Sequence, residues 1–293
     1  DGRGVYDCGG APEAIVVGSF NGGESTLFAL SAKKEWDTKA GRFDLFASYT
    51  HADIKDIGYG TSSTATSNYS DFAAYDRQSP REGTSNFQVE HMLKIRVNWS
   101  KELIPGYETR VSLFATRRSG QPYSYTFSEN NNCVLDVGGG RCPRESRNDD
   151  AGHLLYVPAG INDPLFSPAS FGGDAAAQQA FIDYIDSSEL AQYRGGIAPR
   201  NNDNSKMTTI VDLRLQQELP TLSSDHSFKL FFDIENLGNL LNDDWGRIER
   251  TRYEYERAVA SAAINNGQYE YLELNSDRRI KNLRILNQSV WQL

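Results

Sequence analysis

No stretch of this sequence approaches the roughly 18 consecutive apolar residues that a membrane-spanning helix needs, which excludes a helical membrane protein. Histidine (4 residues) and cysteine (3) are scarce. None of His51, His91, His153 and His226 has a partner at metal-ligand spacing along the chain. No serine elbow, Cys–His nucleophile signature or phosphate loop is present, and Gly138-Gly139-Gly140 reads as a turn. Basic blocks are also missing. With a net charge of -9 and a pI near 5.1, a nucleic-acid partner is not expected. The chain therefore reads as a non-enzyme with no cofactor and no metal.

The three cysteines carry limited information. Cys133 and Cys142 bracket a glycine-containing loop and are a candidate disulfide, which would imply an oxidising compartment. Cys8 is left over. The first residue is Asp1, and the segment from Asp1 to Tyr6 reads as a processed or internal start, so a leader is not addressed by it. Asn148, Asp149 and Asp150 offer oxygens to a hard cation such as calcium, with a polar turn as the plainer reading.

What is present is alternation. The mean hydropathy is -0.56 and the hydrophobic fraction 39%, as expected where apolar and polar positions alternate and cancel. Period-two patterning marks strands near 25–36, 42–52, 88–99, 107–117, 209–219, 227–236 and 283–293. In 88–99, Leu93, Ile95, Val97 and Trp99 oppose Glu90, Lys94, Arg96 and Asn98. In 209–219, Val211, Leu213 and Leu215 oppose Asp212, Arg214, Gln216 and Glu218.

The connections discriminate between architectures. Short turns at 37–41, 101–106 and 220–226 alternate with long segments near 53–87, 118–208 and 237–282. Short turns at one end and long loops at the other are the asymmetry of an up-and-down outer-membrane barrel. Loops of this length are uncommon in compact soluble domains unless they carry function. Within them, Asp174 followed by Ala177, Phe181, Tyr184 and Ile185 predicts a short helix over 174–186. A second helical run is expected at 253–263, and the Ser/Thr-rich stretch 60–70 resembles low complexity. Seven strands cannot close a bacterial barrel, which uses an even number. The expectation is an all-β, antiparallel, partial transmembrane barrel spanning 1–293, with 1–22 the remnant of an outer loop. It would be the C-terminal part of a larger barrel, missing strands on the N-terminal side and the end of the closing strand.

Several stretches resemble a known family. They include Ser62-Ser63-Thr64-Ala65-Thr66-Ser67-Asn68-Tyr69, Ser119-Gly120-Gln121-Pro122-Tyr123-Ser124-Tyr125, and Asn148-Asp149-Asp150 with Leu154-Leu155-Tyr156-Val157-Pro158. Further along come Asp212-Leu213-Arg214-Leu215-Gln216-Gln217-Glu218, Asp233-Ile234-Glu235-Asn236-Leu237, Asn239-Leu240-Leu241-Asn242, Trp245-Gly246 and Ser289-Val290-Trp291-Gln292. In this order they are similar to the barrel of TonB-dependent outer-membrane receptors of the Oar-like group. The resemblance implies a barrel of about 22 strands, an N-terminal plug domain that this chain lacks, a TonB complex engaged through that missing part, and uptake of an unknown solute across the bacterial outer membrane. Outer-membrane lipid would be a further partner.

In such a barrel the polar strand positions Lys94, Arg96, Arg110, Asp212, Arg214, Asp233 and Glu235 would face the lumen. Arg117, Arg118, Tyr123 and Tyr125, which mix cations with aromatic rings, are the candidates for an outer ligand mouth. Two other functions fit the sequence less fully: a surface adhesion or secretion-associated barrel, and a soluble β-rich carbohydrate-binding protein.

Overall fold

The computed structural model describes residues 22–58, 81–128, 153–221, 228–251, 256–275 and 283–285, with a few positions between 62 and 75 and residue 226. In chain order the elements are β1 (Glu24–Thr38), β2 (Gly41–Asp56), β3 (Gly83–Thr84), β4 (His91–Ile104), β5 (Tyr107–Arg118), β6 (Pro122–Phe127) and β7 (Tyr156–Val157). Helix α1 (Ala175–Asp186) precedes β8 (Gly196–Ile197), β9 (Asp203–Asn204), β10 (Thr208–Leu219) and β11 (Phe228–Ile234). The one-turn helix α2 (Leu237–Leu241) is followed by β12 (Glu249–Thr251), β13 (Glu256–Asn265), β14 (Gln268–Leu274) and β15 (Leu283–Ile285). Strands form 55% of the structure and helices 14%, so the class is all-β.

One large sheet runs β1-β2-β4-β5-β10-β11, antiparallel throughout, with β3 added at one end of β2. Among the described residues it does not close on itself. Its strands are long: β1 and β2 have 15 and 16 residues, against the 5–6 usual in globular sheets. The register keeps the alternation in phase across all six strands. Leu45 faces Val97, Val97 faces Leu113, Leu113 faces Leu213, and Leu213 faces Ile234. Paired residues share a face, so one side of the sheet is predominantly apolar, interrupted by Lys34 opposite Leu45 and by Arg117 opposite Leu93, and the other carries most of the charges.

Among the described residues nothing covers the apolar side. Leu30, Leu93, Leu113, Leu215, Leu230 and Phe232 are all exposed among the described residues. Near the short turns, Trp36, Phe43 and Trp99 lie side by side on it, and the first two stack at 5.5 Å. The indole of Trp99 donates to the Ala40 carbonyl in the β1–β2 turn at 3.0 Å. Towards the other end stands a second row, Tyr49, His51 and His91. Eight residues separate Phe43 from His51, about 26 Å at roughly 3.3 Å per residue.

The buried core lies elsewhere, in a lobe built from the long connections. Its centre is aromatic: Phe127 stacks on Tyr269 at 5.5 Å, Tyr156 on Tyr269 at 5.1 Å, and Phe181 meets Tyr271 at 4.7 Å. Strand β6 is buried on both faces, with Tyr123, Tyr125 and Phe127 on one side and Ser124 and Thr126 on the other. It pairs in parallel with β13, which forms a hairpin with β14. Helix α1 begins where its cap predicts, with the Asp174 carboxylate accepting from the Ala176 and Ala177 amides at 2.8 and 3.3 Å. Its buried residues are Phe181, Ile182 and Ile185.

Two expectations are corrected. The run at 253–263 is not helical; its described part is strand β13. The reason lies just beyond it: Asn266 and Gly267 both adopt positive φ (51° and 77°), the pair that a type I′ hairpin turn requires, and this returns the chain as β14. Of the segment 283–293, only β15 is described, and it pairs with β12 in a separate two-stranded ladder rather than joining the large sheet. The cysteine and oxygen-donor candidates — Cys8, Cys133, Cys142 and Asn148 to Asp150 — fall outside the described residues, as do most of 1–22 and of 60–70.

Candidate functional site

The charged side of the large sheet holds most of the residues expected at polar strand positions. Lys94, Arg96, Arg110, Asp212, Arg214 and Asp233 all sit on this face by register. Arg96, Arg214 and Asp233 form cross-strand ion pairs, and Arg110 pairs within its own strand. Asp44 takes Arg96 at 3.2 Å and the Asn98 amide at 2.9 Å. Arg214 grips Asp233 with both prongs of its guanidinium, at 2.6 and 2.8 Å. Arg110 pairs with Glu108 at 2.7 Å, and Asp212 accepts from the Asn236 amide at 2.8 Å. Arg96, Asp212, Arg214, Asp233 and Glu235 together line a cavity of about 610 Å³ on this face.

The four residues expected at a ligand mouth do not converge. Consecutive strand residues point to opposite faces, so Arg117 lies on the apolar side, where it reaches the Met207 sulfur at 3.8 Å, and Arg118 on the charged side, at a cavity with Gln88 and Gln121. Tyr123 and Tyr125 are placed inside the lobe, each 1% exposed. Both hydroxyls donate to Asp203, Tyr125 at 2.8 Å, and the Arg257 guanidinium covers the Tyr123 ring at 4.1 Å. Burial pushes both phenols well above the usual tyrosine range. The neighbouring tyrosine and Asp203 reinforce this at Tyr123, and Asp203 reinforces it at Tyr125. Tyr156 is raised in the same way, by burial and then by Asp163.

A different cavity lies where the lobe meets the sheet. A cavity of about 420 Å³ is lined by Ile57, Tyr75, Arg81, Glu82, Tyr156 and Arg200, among others. Arg81 sits over the Tyr75 ring at 3.5 Å. Arg200 is 5% exposed, and one of its nitrogens binds the Asp56 carboxylate and the Asp56 and Gly83 carbonyls. Its Nε and Nη1 have no hydrogen-bond partner among the described residues. Two buried guanidinium nitrogens without a partner among the described residues can serve acceptor atoms. The chemistry on offer is contact with a polar or anionic solute through cations and an aromatic ring.

Sequence reasoning missed Arg200, because its partner Asp56 lies 144 residues away and no local pattern links them. It also missed Asp163, whose buried carboxylate accepts from the Tyr156 hydroxyl (3.0 Å) and the Ala159 (2.6 Å) and Leu165 (2.8 Å) amides. There the signal existed in Asn162-Asp163-Pro164, a turn-initiating sequence.

With this geometry in hand, comparison with known protein families, with curated proteins and with solved structures gives no match.

Proposed function

We propose that this chain is a wall segment of an outer-membrane β-barrel with its outward-facing loops, belonging to a TonB-dependent receptor that takes up a solute. The observation that carries the reading is the two-faced sheet. Six strands of up to 16 residues present a predominantly apolar side, broken by Lys34 and by Arg117, with no protein layer over it among the described residues. The opposite side is laced by ion pairs. Water penalises such an apolar surface, whereas lipid accepts it. Two rows of rings, Trp36, Phe43 and Trp99 at one end and Tyr49, His51 and His91 at the other, lie about 26 Å apart along the strands, or about 18–21 Å in height at the 35–45° tilt of outer-membrane barrel strands, and so span most of their roughly 25 Å apolar band. Every described short turn is at one end of the sheet, and the folded lobe is at the other. In this reading the ion-paired face lines the lumen, and the cleft at Arg81 and Arg200 is the mouth that first meets the solute. The choice of uptake over other barrel functions rests on the family resemblance.

The test has two stages. Cells expressing the gene are fractionated, and the protein is sought in the outer membrane with heat-modifiable gel mobility. A protein that is monodisperse without detergent and stays out of lipid vesicles overturns the barrel. Deleting the gene should then abolish uptake of one nutrient class in a manner sensitive to dissipating the inner-membrane proton gradient. Unchanged uptake with altered surface attachment assigns the barrel to adhesion instead.

A further inference from the structure

Along the chain, His51 and His91 are 40 positions apart and carry no metal-binding spacing, but the β2–β4 register sets them opposite one another. Their rings lie 4.9 Å apart, centre to centre. The Glu90 carboxylate reaches the same point, its Oε1 3.5 Å from the His91 Nε2. Two imidazole nitrogens and a carboxylate oxygen, one from each residue, all lie within 4.8 Å of one another. Among the described residues this is the one group of three or more side chains so arranged.

We propose that His51, Glu90 and His91 form a binding site for a borderline divalent metal ion, with zinc(II) as its first candidate. Two histidines and a carboxylate are the donor set of open zinc sites, in which a fourth position is left to water or an outside ligand. Bonds of about 2.1 Å in a tetrahedron place ligand atoms about 3.4 Å apart. The Glu90–His91 pair already stands at that separation, and only His51 has to close in.

The surroundings favour this. The Tyr49 hydroxyl meets the His91 Nδ1 at 2.8 Å, which fixes the ring and turns the Nε2 towards Glu90. Metal-binding histidines are oriented in this manner by a partner on the far ring nitrogen. The His51 Nδ1 is buried and has no hydrogen-bond partner among the described residues, so closing on a metal breaks no existing bond at that atom. The backbone is held firmly: the Ala52 amide donates to the Glu90 carbonyl at 2.9 Å, and His91 and Ser119 exchange two hydrogen bonds at 2.8 and 3.0 Å. The His91 and Glu90 side chains are 42% and 37% exposed, which leaves the ion a path in.

The experiment uses the folded full-length chain, as wild type and with all three cysteines replaced by serine, since thiols also take zinc. Titration with Zn²⁺ should show one site per chain in both. Co²⁺ at the same site should give visible bands of a four- or five-coordinate ion. His51→Ala and His91→Ala should each weaken Zn²⁺ binding by more than the roughly 10–100-fold typical of losing an outer partner, and Tyr49→Phe by an amount within that range. His226→Ala should bind as wild type. In unmutated protein, Zn²⁺ should shield His51 and His91, but not His226, from carbethoxylation by diethyl pyrocarbonate, read by peptide mass spectrometry. Binding that survives both histidine substitutions, disappears with the cysteines, or leaves His51 and His91 unshielded overturns the site.

Discussion

Arg200 is bound to Asp56 across the junction between the lobe and the large sheet, one partner from the β8–β9 connection and the other from the last residue of β2. The Arg200 side chain is 4% exposed and that of Asp56 26%. Around it, the Asn201 amide donates to the Thr84 carbonyl at 2.7 Å, which makes this pair part of the seam joining the two regions.

Arg200→Met removes the cation and leaves Asp56 facing an apolar chain. Breaking a buried pair on one side costs about 3–5 kcal/mol, and the partial exposure of Asp56 puts this case at the lower end. The expected result is earlier protease cleavage and faster amide exchange around 83–88 and 199–205, with the β4–β5 amides unchanged. Uniform protection in both regions would contradict this role of the pair.

Raising the pH tests the lobe. Burial holds Tyr123, Tyr125 and Tyr156 neutral above the usual range, whereas in an unfolded chain they ionise near pH 10. Their contribution is therefore complete below about pH 10 and is lost as the pH rises beyond it, where the unfolded state releases protons that the folded state keeps. The lobe is expected to melt cooperatively in strong alkali. Several tyrosinate absorbances should appear together with the loss of near-UV circular dichroism. Smooth titration of all 15 tyrosines around pH 10 would count against it.

Ser112 and Leu113 are neighbours on opposite faces of β5 and make a matched pair for the proposed lipid contact. Leu113→Arg places a charge on the apolar face, which costs about 2–4 kcal/mol at a bilayer midplane. Ser112→Gln keeps a polar side chain in the cavity lined by Asp212, Asp233, Glu235, Arg96 and Arg214, where it should change stability little. Folding yield in lipid vesicles at graded urea separates the two. Equal effects would argue against lipid on the Leu113 side.

Gly120 leads from β5 into the buried strand β6. A Cβ there would collide with the backbone carbonyl of Ser205, which cannot swing aside as a side chain can. The Ser205 amide also donates to the Gln121 carbonyl at 2.9 Å, so the two segments are tied at this point. Gly120→Ala should destabilise the lobe by about 1–3 kcal/mol, the usual range for overpacking. Thermal melts followed by aromatic circular dichroism should register it, and an unshifted melt would refute the close approach.

The large sheet was legible because its signal is local: each long strand announces itself by alternation, and Asp174 announced α1 by its capping side chain. The lobe was less so. Ala258, Ala260, Ala262 and Ala263 suggested a helix by composition, while the Asn266-Gly267 turn that decides for a hairpin is only two residues long. Tyr123 and Tyr125 have the composition of a binding surface, and only the fold reveals that Asp203 of β9 and Arg257 of β13 close over them. His51 and His91 show the same limit, since pairing register is a property of two strands and of the long loop between them.

The parallel pairing of β6 with β13 has a consequence for the order of assembly. Their contacts join residues about 130 positions apart, as between Thr126 and Glu256. Between them the chain must travel the full length of the sheet and return, as β10 and β11. Such a contact closes late, because the large loop must first be gathered. The lobe's aromatic core therefore depends on the chain's excursion through β10 and β11 returning β13 to the end of the sheet where β6 lies.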